Sequence, residues 1–178
     1  MALQIAKPKQ EQDEHAFLGE EFLLWLWWSA ETRGGVYPLS EQEGGQVGVS
    51  IDRRLEFYDE ATNVRVSVNG DAPTRAPEAR EALARGMRLA RAGLVVATPD
   101  TSVDVTFDAA TFDLRSVKAP RAEGDSREER DGNALATLFG LTDALDGVYR
   151  RFLLERTGSA FKKDGARELQ EWARGKSR

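Results

Sequence analysis

The sequence predicts an α+β fold, in which an antiparallel sheet of about four or five strands packs on helices and a helical region follows. Three observations carry that prediction. One seven-residue run, Phe22–Trp28, would leave no polar face on a helix or strand. Several short segments then alternate apolar and polar residues, the strand period. A final third repeats apolar residues at three- and four-residue steps, the helix period. At 178 residues the chain suits one domain with a helical appendage. We divide it into an N-terminal arm (1–15), an α+β domain (16–120) and a helical C-terminal region (127–178) packing on the same core.

Residues 1–15 are polar, contain His15, the one histidine, and read as a flexible arm. A helix is predicted from about Ala16 to Arg33, stopped by Gly34-Gly35. Its centre, Phe22-Leu23-Leu24-Trp25-Leu26-Trp27-Trp28, holds three of the four tryptophans. This run is too short for a membrane span of ~20 residues, and Glu20, Glu21, Glu31 and Arg33 bracket it closely. It must be covered by the protein's own core or by a partner. Trp is enriched among interface anchors, so Trp25, Trp27 and Trp28 are also read as a partner interface.

Val36-Tyr37-Pro38-Leu39 and Glu41–Gly45 read as loop. Val47, Val49, Ile51, Leu55 and Phe57 alternate in a strand that turns near Asp59–Thr62 into Val64–Val68. From Pro77, Ala79, Leu83, Met87, Ala90 and Leu94 share one helical face, so a helix ending at Gly93 is expected. Leu94–Ala97, Val103–Phe107 and Phe112–Ser116 complete the strands, and Pro120–Arg127 is a polar linker. A long helix from about Arg127 to Arg156 stops at Gly158. Gly140 and Gly147 share a face of it that suits close approach by another helix. Ala166, Leu169, Trp172 and Ala173 mark a last helix.

Composition narrows the chemistry. There is no cysteine, which excludes disulfides and thiolate catalysis. With one histidine, zinc ligation would rest on carboxylates, so no metal and no cofactor is expected. Gly44-Gly45-Gln46-Val47-Gly48 precedes a strand and lacks the phosphate-loop lysine. No serine sits in a nucleophile elbow. Asp100, Asp104 and Asp113 could form a magnesium nuclease core, but the acidic-x-lysine element is replaced by Asp113-x-Arg115, and Asp104 and Asp108 also suit a solvated sheet face. The chain reads as non-enzymatic. The N-terminus has no long apolar stretch of a secretory signal, so the cytoplasm is expected.

Net charge is −5, unevenly spread. Residues 1–60 carry 5 basic and 12 acidic side chains, whereas residues 150–178 carry 9 basic and 4 acidic. On the expected Pro77–Gly93 helix, Arg80, Arg85, Arg88 and Arg91 flank the apolar stripe, with Arg115 and Lys118 near the sheet. Such a surface suits phosphates, because guanidinium groups take oxyanions in a bidentate way. The alternative is a solvated helix face, with Glu78 and Glu81 compensating.

From Val49 to Pro120 the chain resembles the C-terminal half of the recombination-associated protein RdgC family. The resemblance rests on Leu55–Asp59, the basic strand Asn63–Asn69, the segment Ala82-Leu-Ala-Arg-Gly-Met-Arg-Leu-Ala-Arg-Ala-Gly-Leu94, and the pair Val103–Asp108 and Phe112–Lys118. The Phe22–Trp28 segment is similar to one preceding this region in some members. The resemblance implies a non-enzymatic, sequence-independent DNA-binding protein of the nucleoid, linked to DNA recombination. Such a protein acts as a dimer or part of a ring around double-stranded DNA. Carried over, Arg85, Arg88, Arg91, Arg115 and Lys118 are the basic positions. The chain lacks the N-terminal half of full-length members, so a separate polypeptide could supply it. The second expectation is therefore a protein-interaction or scaffold subunit that has lost the DNA surface.

Overall fold

The computed structural model describes residues 16–38 and 45–175, so the 1–15 arm, His15 and most of the Glu41–Gly45 loop lie outside the described residues. Helix α1 spans Ala16–Arg33, and β1 (Val36–Pro38), β2 (Gln46–Asp59) and β3 (Val64–Gly70) follow. Helix α2 is Pro77–Ala84, after which come β4 (Arg88–Ala97), β5 (Ser102–Asp108) and β6 (Leu114–Lys118). Helix α3 covers Arg127–Thr157 and α4 covers Ala166–Ala173, with a π-helical turn at Phe161–Gly165 between them. The predicted α+β class is therefore the observed one. All strand pairings are antiparallel, in the order β1-β2-β4-β5-β6, and β3 also pairs with β2.

The Phe22–Trp28 centre of α1 is apolar all round because it is enclosed, all but half-buried Leu24 being buried. Phe22 meets Phe107 of the sheet at 5.6 Å between ring centroids, and Tyr149 and Phe152 of α3 at 5.1 and 5.6 Å. Trp25 packs on Tyr37 and Phe152, and Trp27 on Phe57 and Trp172 of α4. The sheet covers one side of α1, and α3 and α4 cover others. Gly34 and Gly35, both at positive φ, end the helix as expected.

Two expectations are corrected. Val36-Tyr37-Pro38 is strand β1, not loop, because buried Tyr37 is held against Trp25 and its backbone pairs with β2. The helix expected to reach Gly93 stops at Ala84. Gly86 takes φ 82°, its N–H bonds the Leu83 carbonyl, and the Met87 N–H bonds the Ala82 carbonyl. These two bonds form a Schellman cap, which only a residue tolerant of positive φ closes cheaply. Residues 88–97 then run as β4, burying Leu89, Ala92, Leu94 and Val96. Gly93 lies mid-strand, where an added Cβ would stand 2.4 Å from the Asp52 carbonyl oxygen. There β2 carries extra residues, with Arg53 at φ 62°, between the pairs Ile51–Leu94 and Leu55–Ala92.

Helix α3 starts on a complete capping box, in which the Ser126 hydroxyl accepts from the Glu129 N–H while Glu129 returns to the Ser126 N–H. Leu141, Ala144, Leu145, Val148 and Phe152 join the core. The part before Leu141 does not. An added Cβ on Gly140 would meet nothing within 4 Å, so among the described residues no helix makes the close approach expected there.

Candidate functional site

The basic residues do not form the helical surface expected of them, because of the six only Arg80 lies within helix α2, and Arg85 is its C-cap. The Arg80 guanidinium lies against both indoles of the Trp27–Trp172 pair, 4.9 Å from each ring centroid, and pairs with Glu31. Glu31 also accepts the indole N–H of Trp27 at 2.7 Å and of Trp172 at 3.1 Å. One carboxylate thus ties α1, α2 and α4 together, and Arg80 serves packing. Arg85 pairs with Glu81 one turn back.

The others lie in the sheet. Arg88 pairs with Glu60 at 3.1 Å and Glu20 at 3.7 Å. Arg91 sits between Glu56 of β2 and Asp108 of β5, its register partners, at 3.3 and 2.7 Å. Arg115 reaches Asp108 and Asp113, and Arg54 pairs with Glu56. An alternating row, Arg54–Glu56–Arg91–Asp108–Arg115–Asp113, therefore crosses the face of the sheet away from α1. Lys118 is exposed on β6, opposite Asp104 in register. Burial alone would raise the Asp108 carboxyl, but the hydrogen bond and charge of Arg91 outweigh it and hold the group below the usual carboxylate range. The Arg91 guanidinium is shifted up for the reciprocal reason.

Trp25, Trp27 and Trp28 are 0%, 0% and 5% exposed. The Trp25 N–H donates to Glu155 at 3.2 Å, and the Arg33 guanidinium lies 4.4 Å from the Trp28 ring centroid. In this fold they present no surface for a partner to grip. Asp104 faces Arg53 at 3.6 Å, Asp113 faces Arg115 and Asp100 lines a cleft. Among the described residues, no three acidic or histidine side chains converge to hold a metal ion.

The structure instead draws attention to the first half of α3. Leu135, Leu138 and Phe139 are 55%, 41% and 68% exposed. Beneath this overhang a cleft of about 570 Å³ separates α3 from the β4–β5 turn; its walls include Val96, Thr101, Val103, Asn133 and Leu141. The helix is thus uncovered on two sides for roughly 20 Å. In the sequence, the three- and four-residue apolar steps of the final third read as a single helical pattern. The missed signal lay within it: at about 100° per residue, Leu141, Leu145, Val148 and Phe152 form one stripe, while Leu135 and Phe139 fall on an adjacent one.

The class defined by this geometry is an α+β domain with an antiparallel sheet, a buried tryptophan-rich helix and an overhanging amphipathic helix. No described helix is long and apolar enough to cross a membrane. No protein-family model, curated protein or solved structure matches the chain.

Proposed function

We propose that the chain is a non-enzymatic protein-interaction subunit, a scaffold component that docks through the exposed apolar flank of α3. One observation carries this reading: Leu135, Leu138 and Phe139 stand together, largely uncovered, on a helix capped at its start and anchored at its end. Clustered large apolar side chains on a polar rim mark interaction surfaces more often than scattered ones do. The arginines support it from the other side. Arg80, Arg85, Arg88, Arg91 and Arg115 each hold a carboxylate of the same chain, which a phosphate would have to displace.

Sequence-independent DNA binding is the second reading. It is favoured by Arg53, Arg54, Arg115 and Lys118, which are exposed on the sheet side opposite α1.

A photo-crosslinking residue at position 139, with one at exposed position 168 on α4 as control, tests the first reading in producing cells. The expected result is a protein adduct from 139 alone; absence of an adduct from 139 sinks the reading. Titration of random-sequence duplex at low salt tests the second. Binding with a steep salt slope, lost in the Arg54→Ala plus Arg115→Ala variant, would establish it.

A further inference from the structure

We infer that the occupant of the α3 flank is a second copy of this chain, packed antiparallel along α3 in one particular register. This rests on the flank being a docking surface, and it is argued from the flank's own charge pattern. At about 100° per residue, Arg127, Asp131, Ala134, Leu135, Leu138, Phe139, Thr142 and Asp146 lie within one arc of about 140°. Along that arc the helix reads basic, acidic, apolar, then acidic and, at Arg150, basic. Each end already forms an intrahelical pair, Arg127 with Asp131 at 3.7 Å and Arg150 with Asp146 at 2.8 Å.

Three antiparallel registers bring the apolar parts of two such helices together, and charge selects among them. Centring between Leu138 and Phe139 sets Arg127 on the second copy's Arg150 and Asp131 on its Asp146, so like charges meet at both ends. Shifting the partner so that Asp131 meets its Arg150 drives Leu135 onto its Asp146 and Leu138 onto its Asp143. The opposite shift centres the pair between Ala136 and Thr137. It places Leu135 on the second copy's Leu138, Phe139 on its Ala134, Thr142 on its Asp131 and Arg127 on its Asp146. Every one of these contacts occurs twice by symmetry. Apolar meets apolar, the largest ring meets the smallest side chain, Arg127 meets Asp146, and Asp131 meets the neutral Thr142 rather than a like charge. The surface is self-complementary in the way a two-fold interface requires. A single pair of helices lies near the lower end of interface sizes, ~1,200 Å², so the dimer dissociates on the order of micromolar concentrations.

The test is the mass of the full chain in solution, measured by sedimentation across a concentration series. The wild type is expected to be a dimer at high concentration, and Phe139→Glu a monomer with unchanged circular dichroism. Arg127→Glu and Asp146→Arg should each weaken the dimer by about tenfold, and the double charge swap should recover most of that loss. A wild-type chain that stays monomeric overturns the inference. So does a dimer indifferent to Phe139→Glu, or one in which the double swap is no better than the singles. A monomer that still yields a crosslink from position 139 to a different protein refutes self-pairing alone. A monomer with no such crosslink refutes the docking reading as well.

Discussion

Two residues show how much single side chains decide here. Gly93 is a strand residue on which the β2 bulge rests, with no room for a methyl group beside the Asp52 carbonyl. Gly93→Ala should lower stability by about 1–3 kcal/mol, read as a shift in denaturation midpoint. Ala at exposed Gly132, where nothing lies within reach, should not. Asp108 has a side chain 4% exposed and ion-paired to Arg91 and Arg115. Its carboxyl is held below its ordinary range in the folded chain. The stability it contributes is therefore present above the unfolded Asp value and lost as pH falls through the lower folded value. Asp108→Asn should cost about 2 kcal/mol at neutral pH, and the difference from wild type should shrink in denaturation curves taken as pH falls below the ordinary carboxylate range. Glu20 has the opposite sign. Burial, only partly offset by Arg88, pushes its carboxyl up, so its contribution falls as pH rises through that value.

At the scale of elements, α3 is divided in two. Its second half is core: Phe152 is fully buried against Phe22, Trp25 and Tyr149. Phe152→Ala should cost about 3–5 kcal/mol, whereas Phe139→Ser should change monomer stability by no more than about 0.5 kcal/mol. Similar losses from the two, in denaturation at concentrations that keep the chain monomeric, would mean that the first half is packed. Helix α4 is held by the Glu31 carboxylate as well as by Trp172. Glu31→Ala should free α4 before the sheet melts, seen as faster amide exchange in 166–173. The α2–β4 junction shows why one element was misread. Residues 79–94 carry an apolar spacing compatible with a helix, and nothing local outvotes it except Gly86. That glycine became decisive once Arg91 had Glu56 and Asp108 on neighbouring strands to meet.

The whole molecule distributes charge so that most of its arginines are used internally. The chain's net −5 therefore acts at a distance without a strong basic field to oppose it. In the protein-interaction reading, affinity for random duplex at low salt should be weak, and Arg88→Ala plus Arg91→Ala should change fold stability more than it changes DNA binding. A large, salt-dependent loss of DNA affinity with unchanged stability would reverse that order and favour the second reading.

The sequence by itself determined the α+β class, the limits of α1 and α3, the β2–β3 hairpin and the burial demanded by Phe22–Trp28. These depend on local periodicity, caps and apolar content, which short segments carry alone. Only the tertiary structure decided where the arginines go, because ion pairing across strands depends on register, and register is set by the bulge at Asp52–Arg54 and the turn at Gly86. Likewise only packing decided which apolar stripe of α3 is covered. Periodicity marks a face as apolar, but the sheet and α1 end before Leu135, Leu138 and Phe139, and that leaves the flank exposed.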